Sequence, residues 1–266
     1  MTDAPRIHPT AIVDPAARVD STSHVGPYAV VGPGVRVGPG CRIEAHVVLE
    51  GDTVLGRNNR IGPHAVVGGA PQIREVADTE WGGLRIGDEN RFREFVSVHC
   101  GGGPGRFTAV GSRCLLMAGS HVAHDCRIGD GVELANGVQL AGHVVVEDLA
   151  VLGGLAAVHQ FVRVGRLAFV GAGSMVSQDV PPFALANGDR ARVYDLNVVG
   201  LKRLGFPASR RRLLRRALRR LLAAPTMREG LERVAELDQC DEVEQLIGFA
   251  RASRRGVCRL SRGVSP

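Results

Sequence analysis

An apolar residue recurs every six positions along most of this chain. The series runs from Ile7 through Val13, Val19, Val25 and Val31 to Val67, returns at Ile86, Phe92 and Val98, and resumes from Val110 to Val176. Neither a helix, with its period of 3.6, nor a strand, with its period of 2, produces that spacing over so many turns. It predicts a mainly β fold, a parallel β-helix of hexapeptide repeats. Three hexads make one triangular coil of 18 residues, and each hexad contributes a short strand whose apolar residue points inward. Coils then stack at about 4.8 Å, so residues 18 apart lie one above another.

Corner residues follow from the same reading. In Val31-Gly32-Pro33-Gly34 and Ile128-Gly129-Asp130-Gly131, small and turn-forming residues stand beside the inward one, where the chain must bend. Two stretches break the register and predict loops, at 70–85 and at 101–108. The second is glycine-rich but lacks the Lys-Ser/Thr and following helix of a phosphate-cradling loop. Coiling is expected to stop near Asp179-Val-Pro-Pro-Phe183. Beyond it, Leu213, Leu214, Ala217, Leu218, Leu221 and Leu222 repeat with helical period, and Pro225 ends the run. Thr226-x-x-Glu229 and Asp241-x-x-Glu244 resemble N-terminal caps of further helices. The expected division is a β-helix over 1–188 and a helical domain over 189–266.

Composition excludes several classes. The six cysteines are scattered without Cys-x-x-Cys pairs and read as free thiols in a reducing compartment. No apolar run is long enough to span a membrane, and the first residues lack a signal-like segment. A cytoplasmic protein without stable membrane insertion is expected. The net charge of +6 is concentrated in Arg210, Arg211, Arg212, Arg215, Arg216, Arg219 and Arg220. That cluster is either a solvated helix face or a surface suited to an acidic protein, anionic lipid or nucleic acid.

Chemistry enters at Gly119-Ser-His-Val-Ala-His-Asp-Cys-Arg127. A neutral imidazole beside a carboxylate holds one tautomer and offers its other nitrogen as a base. Stacking by 18 places Gly142 above His124 and Gln160 above Gly142, so His121, His124, His143 and His159 gather on one wall. A glycine over a base leaves space and presents a backbone N–H to a developing oxyanion. Three readings remain open on the residues alone: a zinc site, a Cys126 nucleophile, and acyl transfer with His124 as general base.

The segments Ile7-His-Pro-Thr-Ala-Ile-Val13, His121-Val-Ala-His-Asp-Cys126, Leu140-Ala-Gly-His143, Ala157-Val-His-Gln-Phe161, Gln178-Asp-Val-Pro-Pro182 and Asn197-Val-Val-Gly-Leu-Lys-Arg203 together resemble bacterial acyl-[acyl-carrier-protein]:UDP-N-acetylglucosamine O-acyltransferases of the lipid A pathway. The resemblance implies a left-handed β-helix and a homotrimer with sites between subunits. It implies an acyl carrier protein as 3-hydroxyacyl donor, a UDP-sugar as acceptor, and no nucleic-acid partner, cofactor or metal. By the family pattern, His124 would deprotonate the sugar 3-hydroxyl, Asp125 would orient His124, and Gly142 would hold the oxyanion. Gln72, Arg74, His99, His121, His143, His159, Gln160, Asn197 and Arg203 would contact substrate, and Ala172 would limit acyl length. Departures stand at Pro71-Gln72-Ile73-Arg74, where the family usually reads Pro-Gln-Asp-Leu-Lys, and at Val199 and Leu204, where a glutamate and a second arginine are common. A different nucleotide amino sugar as acceptor, and a zinc-dependent hydratase of the same fold, are the alternatives.

Overall fold

The computed structural model describes residues 6–74, 81–238 and 240–261. The chain winds as a left-handed parallel β-helix whose strands, mostly two residues long, join three flat sheets. Among the described residues the first sheet has nine strands, from Ile12–Val13 to Met175–Val176. The second has eight, from Arg18–Val19 to Arg163–Val164. The third has ten, beginning at His24–Val25. Register follows the coil length: Val30 pairs with Val48 and Val31 with Leu49, one turn on.

Each strand sends one hexad residue inward, and Val31, Leu49, Val67, Val98, Val122, Leu140 and Val158 form a continuous buried column under the first sheet. Burying each such side chain contributes about 1.5–3 kcal/mol relative to exposure. Inward residues of the first described coil are less covered than later ones: Ile7 is exposed and Val13 and Val19 are half-buried.

The second sheet widens in the middle. Strands Asp52–Leu55, Gly83–Ile86 and Phe107–Val110 are four residues long, with Leu84 paired to Thr53 and Thr108. Thr53, Leu84 and Thr108 are buried, giving each strand a second inward residue. The expected loops therefore close earlier than the hexads suggest, at Gly83 and at Phe107. Residues 75–80 of the first loop lie outside the described residues, while Trp81 returns to pack against the core. Polar groups inside the corners pair with one another: the Asn90 amide donates to Asn59 Oδ1 (3.0 Å) and Gly111 O (2.9 Å) and accepts from Cys114 N–H (2.8 Å).

At the far end the third sheet continues into an antiparallel hairpin, Ala184–Asn187 with Arg192–Leu196. The expected boundary at 188 falls inside this hairpin, whose ladder belongs to the solenoid. Among the described residues four helices follow: α1 (Val198–Arg203), α2 (Ala208–Ala223), α3 (Met227–Ala235) and α4 (Asp241–Arg251). Helix α2 buries Leu214, Ala217, Leu218, Leu221 and Leu222, the face its spacing predicts. Thr226 caps α3 as expected, accepting from Glu229 N–H. At α4 the cap is Cys240, and Asp241 opens the first turn, where a carboxylate favours the positive helix end.

The arginines of α2 are largely engaged within the chain. Arg215 forms a two-pronged pair with Asp195 of the hairpin (2.9 and 2.8 Å), and Arg210, Arg216 and Arg220 face Glu242, Asp238 and Glu236. Arg212 and Arg219 have no ion pair among the described residues. Arginines here tie α2 to its neighbours, a role the sequence pattern did not separate from a solvated face. After α4 the chain returns to the solenoid, with Val257 bridging Asp179 and Leu260 bridging Val193. No helix among the described residues is long and apolar enough to cross a membrane.

Candidate active site

The corner between the first and second sheets gathers the candidate base, its carboxylate and the glycine that faces it. His124 and Asp125 occupy it on one coil, Gly142 and His143 on the next, and Gln160 and Phe161 on the one after. Asp125, His143 and Phe161 have positive φ (60°, 62° and 66°). Equivalent corner residues elsewhere, such as Tyr28, His46 and Leu149, share that conformation, so it belongs to the corner and is no special strain of this site.

His124 Nδ1 lies 2.8 Å from Asp125 Oδ2. Asp125 is itself fixed: its N–H donates to Thr108 Oγ1 (2.8 Å), and its Oδ2 accepts the Gly102 N–H (3.2 Å). With Nδ1–H donated to a carboxylate, Nε2 is the nitrogen that remains available as a base. It faces the space over Gly142, where a Cβ would come within 2.5 Å of Nε2. Any larger residue at 142 would fill the face of the base. The Gly142 N–H has no partner among the described residues, while its carbonyl accepts from Phe161 N–H.

His143 packs edge-on to His124 (ring centroids 5.1 Å), stacks on Phe161 (4.5 Å), and brings Nε2 to 3.7 Å from Asp125 Oδ2. Burial lowers its pKa, and Asp125 opposes that shift. On the first sheet, His121 Nδ1 meets Ser97 Oγ at 2.8 Å, and its ring lies edge-on to His99, whose Nδ1 contacts Ala70 O (2.5 Å). Burial, reinforced by His99, holds the His121 pKa down at about 4. The ring is neutral at pH 7.

The remaining candidates spread out. Gln72 and Arg74 are exposed, and Ile73 between them borders Gly102 beside His124 and Asp125. His159 and Gln160 are exposed at the same corner as Gly142, and Arg255 from the chain's return contacts His159 Nδ1 (3.2 Å). Ala172 is exposed at the opposite edge of the first sheet. Asn197 is not with them: it is buried, donates to Leu167 O (2.9 Å) and caps α1 by accepting from Gly200 N–H (3.0 Å). Its amide thus has structural partners within this chain, one donated and one accepted bond. Arg203 lies exposed on the last turn of α1.

Two competing chemistries can be weighed on this geometry. Cys126 is fully buried, donates toward Ala141 O, and burial pushes its thiol up to about 12, so it is not poised as a nucleophile. His124, Asp125 and His143 are close enough to share a metal ion. A metal held through His124 Nδ1 would replace the His124–Asp125 hydrogen bond. Residues missed by sequence reasoning include Thr108 and Gly102, which fix Asp125, and Ser97 beside His121. Phe161 was legible, since it stands 18 residues beyond His143.

Comparison with known proteins points to one family of acyltransferases. Residues 179–258 match a family model described as Udp N-acetylglucosamine O-acyltransferase, Domain 2, and residues 107–142 match bacterial transferase hexapeptide repeats. The acyl-[acyl-carrier-protein]:UDP-N-acetylglucosamine O-acyltransferase of Anaeromyxobacter sp. is 48% identical over 260 residues, covering 95% of this chain and 99% of that protein. The enzyme of the same description from Myxococcus xanthus is 49% identical over 214 residues, covering 79% and 82%. Among solved structures, LpxA from Acinetobacter baumannii superimposes with a TM-score of 0.91 at 34% identity, covering 96% of this chain and all of that one. UDP-N-acetylglucosamine acyltransferase from Francisella novicida gives 0.91 at 32% identity, covering 98% of each.

A pH dependence follows from His121. Its folded pKa of about 4 lies below the unfolded value of 6.5, so on acidification the unfolded chain takes up a proton that the folded chain refuses. This contribution to stability is complete above about pH 6.5 and is lost as pH falls toward 4. The unfolding temperature should drop across that window, and less steeply in His121→Gln. Parallel profiles for the two proteins would show that His121 does not carry the effect.

Proposed function

Since the chain belongs to the family of acyl-[acyl-carrier-protein]:UDP-N-acetylglucosamine O-acyltransferases, we propose that the corner at His124, Asp125 and Gly142 transfers a 3-hydroxyacyl group from acyl carrier protein to the 3-hydroxyl of UDP-N-acetylglucosamine, the first step of lipid A synthesis. The observation that carries the assignment is the His124–Asp125 hydrogen bond with Nε2 turned to the open face of Gly142. His124 Nε2 takes the proton of the sugar hydroxyl as its oxygen attacks the thioester carbonyl. Charge gathers on the carbonyl oxygen, and the Gly142 N–H donates to it. The intermediate collapses by breaking the C–S bond, and the imidazolium returns its proton to the departing thiolate. The Asp125 carboxylate holds the tautomer and balances the imidazolium. No acyl-enzyme forms.

Neutral His121 and His143 suit roles as hydrogen-bonding contacts to the sugar. Gln72, Arg74, His99, His159, Gln160 and Arg203 are assigned to the substrates as rim contacts, and Asn197 acts by positioning α1. The enzyme is assigned to the cytoplasm, in keeping with its six free thiols.

His124→Ala should lower kcat by about 10²–10⁴-fold with the fold retained, whereas Cys126→Ala should turn over normally. Near-normal turnover by the histidine variant would remove the mechanism, and inactivation of the cysteine variant would restore the nucleophile.

A homotrimer is assigned as the working form, since Phe161, Leu155 and Met175 leave apolar surface exposed around the first sheet. Sedimentation should give three times the chain mass at micromolar concentration. A monomer with full activity would exclude a shared site.

Acyl length is assigned to Ala172, across the first sheet from His159. Each excluded CH₂ forfeits about 0.8 kcal/mol, near fourfold per carbon. In competition between donors, Ala172→Gly should shift preference to longer chains, and an unchanged profile would move the ruler elsewhere.

A further inference from the structure

The column that carries His124, Gly142 and Gln160 ends one coil further on, at Gln178, and a second polar cavity opens there. It is lined by Ser177, Gln178, Arg190, Arg192 and Arg255, with Arg259 behind them. None of these arginines makes an ion pair among the described residues. Arg259 is occupied, donating to the carbonyls of Ala224 (3.1 Å) and Pro225 (2.8 Å) at the end of α2. Arg255 donates to Ser177 O and contacts His159 Nδ1, both at 3.2 Å, while its Nε–H is buried without a partner. Arg190 and Arg192 are exposed, and their side chains make no hydrogen bond among the described residues.

Concentrated guanidinium groups without a carboxylate, one with an unsatisfied buried donor, are costly unless an anion completes them. The planar donor fork of arginine matches phosphate oxygens. Three coil steps separate Gln178 from His124, roughly 14 Å along the solenoid. In the nucleotide sugar, the reacting 3-hydroxyl stands only about 7 Å from the nearer phosphorus, too short for that span. The phosphopantetheine arm of an acyl carrier protein extends roughly 16 Å from phosphorus to sulfur, which fits it.

We infer that Arg190, Arg192 and Arg255 bind the phosphodiester of the donor's phosphopantetheine arm, holding it at the reach that delivers the thioester to His124 and Gly142. This rests on the donor assigned above. It also gives Arg255 a positioning role toward His159, which joins the phosphate site to the corner below.

The test uses two soluble donors that differ by the phosphate alone, acyl-phosphopantetheine and acyl-pantetheine, with UDP-N-acetylglucosamine as acceptor. The natural protein should favour the phosphorylated donor by about tenfold or more in kcat/KM. R190Q/R192Q should bring that ratio to about one, with KM for the nucleotide sugar unchanged. Both positions are exposed, so an unaltered unfolding temperature verifies the fold. A ratio unchanged in the variant overturns the inference. A rise in KM for the nucleotide sugar alone overturns it too, by placing the acceptor's diphosphate in the cavity. Calorimetric binding of phosphopantetheine itself to the two proteins is read without turnover. Weaker binding by the variant, in a protein that fails to acylate the sugar, would keep the anion site while rejecting the acyl-transfer reading.

Discussion

The parallel ladder between successive coils is the constraint from which the rest of this molecule follows. Each coil donates and accepts backbone hydrogen bonds with its neighbours along all three sheets, as where His121 N–H donates to Val138 O and Gln139 N–H to Ala156 O. Inward aliphatic residues stack on the same rise and exclude water from the axis. Because the repeat leaves little freedom in register, a side chain at a corner has its neighbours above and below determined to within the coil spacing. A base and an oxyanion donor can therefore be set opposite each other by sequence separation alone, on a scaffold with little capacity to drift.

At the candidate site this rigid column is modified in three ways. Gly142 removes a side chain where His124 needs space. The stretch between Val98 and Val110 leaves the coil and brings the Gly102 N–H to Asp125, so the carboxylate is held from two directions. The neighbouring imidazoles His121 and His143 are partly desolvated and kept neutral, and they add hydrogen-bonding capacity without positive charge beside the base.

The C-terminal segment closes the open end of the solenoid. Its hairpin extends the third sheet, α2 is fastened to that hairpin by Arg215 and Asp195, and Val257 and Leu260 return to the last coils. That return also carries Arg255 to His159. The cap that covers the final sheet edge thus also brings a cationic side chain to the top of the candidate corner.

Much of this was legible in the residues. A period of six over so many turns specifies a solenoid of hexapeptide coils, and a spacing of 18 places Gly142 over His124. The helical face of α2 and the cap at Thr226 were equally readable, because both depend on local spacing. What local spacing could not supply is contact between segments that leave the repeat. The inward pairing of Thr53, Leu84 and Thr108 depends on how far each excursion travels before it rejoins the sheet. Nor could local spacing supply the part Asn197 plays in linking the Leu167 carbonyl to the first turn of α1. The arginines of α2 were undecided between solvent and partner until α3, α4 and the hairpin brought carboxylates to them. The meeting of Arg255 with His159, across nearly a hundred positions, follows no period at all. The sequence by itself determined the solenoid, its core and the stacking of Gly142 over His124, because backbone periodicity converts separation directly into distance. Only the tertiary structure decided the supports of Asp125, the pairing of the arginines and the cationic cavity, because those depend on where non-repeating segments come to rest.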